Sequence, residues 1–161
     1  NGEHLKKLPA ATLLAEAAPF LTRAGIDPND PRVPAALELT RDRAQLLSEI
    51  PAVIETIFAT DVTYDEASVA KVREKAELPR ILAALTDGLA DAGDWSVEGI
   101  KAAIHEAAGH AELKMGALML PCRVAVTGRT SGADLVPVLV LLGKDEVVRR
   151  LRDFGAMSAD A

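Results

Sequence analysis

Residues 118–152, LMLPCRVAVTGRTSGADLVPVLVLLGKDEVVRRLR, leave this chain the fewest ways to fold. The stretch opens with an apolar helix over 118–126. Its second half starts at Pro121, which suits a first helical turn because its missing N–H would have no partner there. Thr127-Gly128 stops that helix, since glycine takes the left-handed turn after a C-terminus without steric cost. A polar loop over 129–133 leads to Asp134, which can N-cap a second helix over 135–142, with Pro137 tolerated in its first turn. Gly143 ends that helix, and Lys144-Asp145-Glu146 begins a third that carries Arg149, Arg150 and Arg152. The pattern predicts two short buried helices around a glycine-containing loop, with arginines at its rim.

The rest of the chain is helical by the same criteria. After a leading segment, residues 1–9, a first helix is expected over 10–23, with Leu13, Leu14, Ala17 and Leu21 at helical spacing and Gly25 as its stop. Asp27-Pro28-Asn29-Asp30-Pro31 reads as a turn-rich linker. A second helix is expected over 33–50, using Leu37, Leu39, Leu46 and Leu47, and Pro51 starts a third to Phe58. After a connector at 61–64, Asp65 caps a helix to about Ala76, and Pro79 begins one over 80–91. Ser96 N-caps a helix over 97–108, and Trp95 before the cap with Ile100 inside it forms a hydrophobic staple. The β-branched residues at Val124, Val126, Val136, Val138 and Val140 fall inside helical patterns, so no strand is expected. The fold class is all-α, in two small helical subdomains, 1–60 and 61–161. Leu82, Leu85, Ile100, Ile104, Leu135, Leu139 and Leu142 are expected in the core.

Composition narrows the function. Hydrophobic residues at 49% place the chain among globular proteins and not disordered ones. Its apolar runs fall well short of the roughly 20 residues that span a bilayer, and no signal peptide is visible, so no membrane partner is expected. A chain that begins at Asn1 is expected to be a fragment. Its single cysteine, Cys122, excludes an internal disulfide and a multi-cysteine zinc site, and suits a cytoplasmic setting. The net charge of −6 is unevenly spread. Residues 118–152 hold six basic and three acidic side chains, a local +3 that leaves −9 for the remainder. A basic patch on an acidic body suits a limited, specific nucleic-acid contact better than general coating of phosphate, and DNA is not expected as a partner. The bland alternative for the arginines is a solvated face that complements a helix dipole.

Catalytic patterns fail on geometry. His105-Glu106-Ala107-Ala108-Gly109-His110 places its histidines five residues apart, about 140° around a helix, whereas a zinc HExxH pair four apart lies about 40° apart on one face. Gly109 is also expected to end that helix before His110. Cys122 reads as a small buried residue on an apolar helix. No phosphate-binding glycine spacing and no Ser-His-Asp arrangement is present. Catalytic residues, metal ligands and bound cofactors are therefore expected to be absent.

What survives is Arg123 and the loop that follows it. An unpaired RNA base exposes donors and acceptors on its Watson–Crick edge, and a protein reads it with fixed hydrogen-bonding groups. Arginine supplies a planar, permanently charged fork of donors, and a glycine-containing loop lets backbone groups approach a base closely. Aromatic residues are only 3% of the chain, so stacking platforms are not expected to carry the readout.

The run from Pro121 to Leu151, with RVAVTG, LLG and RRL at these spacings, resembles the C-terminal end of bacterial glutamyl-tRNA synthetases. Asn1-Gly2-Glu3-His4-Leu5, followed by Leu8, resembles the segment that leaves the catalytic domain in that family. The similarity covers essentially the whole chain, with the middle, about 59–111, matching in pattern only. The resemblance implies an anticodon-binding region that recognises tRNA(Glu), with tRNA(Gln) as a further possibility, and that acts as a monomer. ATP, Mg and glutamate would belong to a catalytic domain outside this chain, leaving these residues inactive alone. It implies that Arg123 contacts the anticodon, with loop residues falling on Gly132, Ala133 and Leu135. Family members often carry Thr-Pro or Ser-Pro where this chain has Gly132-Ala133, so a hydroxyl contact there must be missing or replaced by backbone. An arginine that reads the third anticodon base would fall on Arg41 or Arg43, with Arg43 preferred. Arg149 and Arg150 would at most touch phosphates. The alternative from another class is a stand-alone helical protein-interaction module; a third, a metal hydrolase on His105, Glu106 and His110, is the weakest.

Overall fold

The computed structural model describes residues 2–159. Asn1, which opens the leading segment, lies outside the described residues. Among those described are ten α-helices, one 3-10 turn and no strand, so the chain is all-α. Its contacts divide it into two compact units: Asn1–Thr60 with Gly132–Leu141, and Asp61–Ser131 with Leu142–Ala161.

The first unit contains α1 (Gly2–Lys7), α2 (Ala10–Arg23), α3 (Val33–Glu38), the 3-10 turn Leu47–Glu49 and α4 (Ile50–Phe58). It also takes all but the last residue of α9 (Leu135–Leu142). In α2, Leu13, Ala17 and Leu21 recur every four residues and are buried on one face. The Ile26 N–H turns back to the Leu21 carbonyl at 2.9 Å, closing the end of α2 and burying Ile26. The linker at 27–31 is pinned by Arg32. Its guanidinium forks onto Asp30, donates to the Ile57 carbonyl at 3.1 Å and lies 4.7 Å from the Phe58 ring centre.

The helix expected over 33–50 is broken in two. α3 ends at Glu38, and the chain then tightens into three-residue turns, with the Thr40 N–H on Leu37 O and the Arg43 N–H on Thr40 O. The Thr40 hydroxyl, buried, donates to the same Leu37 carbonyl at 2.6 Å, a local bond that competes with helix continuation. The Glu49 carboxylate then accepts the Gln45 and Leu46 amides at 2.6 and 3.0 Å, fixing the start of the 3-10 turn. Leu46, expected on the apolar face, is instead 55% exposed.

The second unit contains α5 (Glu66–Arg73), α6 (Leu78–Ala90), α7 (Val97–His110), α8 (Met115–Thr127) and α10 (Lys144–Ala159). α6 is its central element, packed against α7, α8 and α10. Leu85, Leu89, Ile100 and Ile104 fill that core with no residual exposure. Burying each such side chain contributes about 1.5–3 kcal/mol. Asp65 caps α5 through the Ser68 N–H at 3.0 Å, although α5 stops at Arg73, short of the expected Ala76. Ser96 caps α7 through the Gly99 N–H at 3.1 Å. All seven expected core residues are buried.

Candidate nucleic-acid interface

In the second unit the site begins where α8 ends. Gly128 has φ +81° and closes the helix with its N–H on the Val124 carbonyl at 2.8 Å. A Cβ at Gly128 would collide with the Thr63 carbonyl, so only glycine fits this turn. The Thr127 hydroxyl donates to the Arg123 carbonyl at 2.7 Å and accepts the Arg129 N–H at 3.3 Å, tying the last turn to the loop. Arg123 lies one turn before the helix end and is partly buried, and Arg129 is exposed.

Of the arginines expected at the rim, Arg149 and Arg152 are at the surface and Arg150 is not. Arg150 is 1% exposed, with Nη1 on the Val126 carbonyl at 3.0 Å and Nε on Glu146 at 2.8 Å. It is a core residue because α10 turns it inward, one helical turn after Glu146. Arg149 is exposed, but its guanidinium is held by Glu146 at 2.6 Å and Asp153 at 2.9 Å. These hydrogen bonds, from Arg149 first and then Arg150, hold the Glu146 carboxyl down at about 2. Lys144 donates to the Ala90 carbonyl at 3.2 Å.

The other candidates lie in the first unit. Gly132 is exposed, with φ +145°, a backbone that disfavours any side chain. Ala133 and Leu135 are buried at 5% and 4% exposure, so their side chains are not at the surface. Asp134, between them, is exposed and accepts Arg43 Nη2 at 3.3 Å. Arg41 and Arg43 sit in the turns after α3 and not on a helix. They differ sharply. Arg41 forks onto Glu38 at 2.7 and 3.1 Å and donates to the Leu5 and Lys6 carbonyls, so its donors are spent on the fold. The Arg43 side chain is 48% exposed, and its partner Asp134 is 79% exposed.

A family model described as "Anticodon binding domain" matches residues 12–154. The chain belongs to that family. Among curated relatives, it is 36% identical over 154 residues to a glutamate–tRNA ligase of Akkermansia muciniphila, covering 96% of this chain and 34% of the relative. It is 33% identical over 162 residues to a glutamate–tRNA ligase of Frankia casuarinae, covering 95% and 33%. The chain thus spans about a third of the length of these relatives. A crystal structure of a glutamate tRNA ligase from Elizabethkingia meningosepticum, in complex with its amino acid, shares the fold. Its TM-score is 0.85 over 97% of this chain and 31% of that one, at 24% identity.

The residues weighed for other chemistry have these surroundings in the anticodon-binding domain. α7 continues through Gly109 to His110, correcting the expected stop, and His105, Glu106 and His110 are all exposed. Among the described residues no group of three or more His, Cys, Asp or Glu is placed to hold a metal ion. Cys122 is fully buried, and burial pushes its thiol up to about 12, far from nucleophilic. No helix of the described residues is long and apolar enough to cross a membrane. Sequence reasoning missed Tyr64 and placed Arg150 at the surface, where it is not. Arg150 carried a signal in its Glu146 partner four residues earlier. Tyr64 carried only its rarity, as the chain's single tyrosine.

Proposed function

We propose that this chain binds the anticodon arm of tRNA(Glu), and through it positions the tRNA for ATP-dependent attachment of glutamate by a parent ligase. The family match over residues 12–154 carries this reading. Glutamate, ATP and Mg belong to the ligase's catalytic part, and the 161 residues here supply recognition and no chemistry. Holding the tRNA in register raises rate and specificity together, because a reacting end that is already oriented needs no further ordering. In this reading Arg123 reads an anticodon base, and backbone groups of Gly132, Ala133 and Leu135 are further candidates for anticodon contacts. Arg43 is the residue for the third anticodon position. Its support is that its guanidinium is half exposed on one weak, solvent-facing ion pair, whereas Arg41 is spent on Glu38 and two carbonyls. The same reading makes the parent enzyme cytoplasmic and the domain monomeric, and leaves tRNA(Gln) as a second substrate to be tested.

The test is a titration of the purified chain with the anticodon stem-loop of tRNA(Glu) and with the same stem-loop carrying a scrambled anticodon. A clear preference for the first is expected, weakening with salt as phosphate contacts release counterions. Equal binding of the two would refute the reading. A stem-loop with the tRNA(Gln) anticodon, compared between wild type and Arg43→Ala, separates the two substrates: the variant is expected to narrow the difference.

A further inference from the structure

The C-terminal turn of α8 is held from three directions. A helix end leaves its last carbonyls without intrahelical partners. Here the Ala125 carbonyl accepts the Tyr64 hydroxyl at 2.9 Å and the Val126 carbonyl accepts Arg150 at 3.0 Å. The Gly128 carbonyl accepts the Asp65 N–H at 2.9 Å, and Thr127 closes back on Arg123 O. The donors come from the 61–65 segment, from α10 and from α8 itself. Tyr64 is set in turn by its ring, stacked 5.4 Å from Phe154 on α10.

Stability alone is a poor reason for a buried arginine. Desolvating a guanidinium is costly, and an apolar side chain of similar volume often serves a core as well or better. What Arg150 offers is direction. Its planar fork bridges Glu146 and one particular carbonyl, and its positive charge meets the negative end of the α8 dipole. We propose that Arg150 and Tyr64 are positioning residues: they clamp the α8 C-terminus so that Arg123 and the 129–131 loop are presented to the anticodon already ordered. The proposal rests on the anticodon-binding reading. Its physical basis is that a preordered site loses less conformational freedom on binding than one that must be fixed by its ligand.

Tyr64→Phe removes one hydroxyl and keeps the stacked ring. Arg150→Lys keeps the charge and loses the fork. Both are compared with wild type by stem-loop titration below their thermal midpoints, and by amide hydrogen exchange of the free protein. Each variant is expected to lower affinity for the tRNA(Glu) stem-loop by about five- to tenfold, roughly one hydrogen bond, and for the scrambled one by less than about twofold. Exchange at residues 125–131 should rise while α7 amides keep their protection. A fall in thermal midpoint with an unchanged ratio between the two stem-loops would reduce the clamp to a structural role and overturn the proposal. Unchanged exchange at 125–131 in Tyr64→Phe would overturn it too, even if Arg150→Lys fails to fold. If wild type itself shows no preference, the anticodon reading fails, and the exchange data still decide whether the clamp exists.

Discussion

Arg123 and Arg150 stand in the same stretch of sequence, yet they meet different surroundings, one partly exposed and the other in the core. Arg123→Ala is expected to cost about 1–3 kcal/mol of binding to the tRNA(Glu) stem-loop and to leave the scrambled stem-loop nearly unaffected, the pattern of a base contact. A loss shared equally by both would instead mark a phosphate contact. Arg149 offers a contrast, because Glu146 and Asp153 already neutralise it. Arg149→Ala should therefore leave the salt dependence of binding unchanged, measured as the slope of log affinity against log salt; a slope shallower by about 0.7–0.9 would mean that it touches a phosphate. Glu146 makes a pH prediction. Its folded value, about 2, is depressed below the ordinary 4.5, so the folded state prefers its charged form. The stability this contributes is fully present above pH 4.5 and is lost as pH falls toward 2. Urea midpoints measured between pH 5 and 3 should therefore fall less steeply in Glu146→Gln than in wild type.

Helix ends were the most legible elements, because capping is local chemistry. Ser96 and Asp65 cap as their sequence positions suggest, and Gly128 takes the left-handed turn. Ser96→Ala should lower stability by about 0.5–2 kcal/mol, read from denaturant unfolding, the ordinary cost of losing such a cap. Gly128→Ala should cost more than that, since it adds a backbone clash at Thr63 to an unfavourable φ. A loss below about 0.5 kcal/mol would show that the 61–65 segment yields easily. The helix expected over 33–50 failed for an equally local reason. Its leucine spacing fits a helix, but Thr40 and Glu49 offer the backbone competing side-chain hydrogen bonds. Periodicity counts apolar residues and is blind to that competition.

At the scale of the molecule, residues 132–141 group with Asn1–Thr60, although the chain reaches them only after most of the second unit. Leu139, fully buried on α9, belongs to that first unit. Leu139→Ala should cost about 2–5 kcal/mol, and the loss should appear as faster amide exchange in α2 and α4, with α6 and α7 little changed. The reverse distribution would contradict the division of the chain. The sequence by itself determined the all-α class, the core leucines and isoleucines and nearly every helix start, because these follow from propensity, spacing and caps within a few residues. It also marked Arg123 and the 129–133 loop, through motif spacing. The tertiary structure alone decided where α9 belongs, that Arg41 is spent on Glu38 and two carbonyls while Arg43 stays exposed, and that Arg150 points inward. Each of those depends on partners that folding brings together: Asp134 lies 91 residues from Arg43, and Val126 lies 24 from Arg150. No local rule connects residues so far apart, since their pairing is set by which helices share a core.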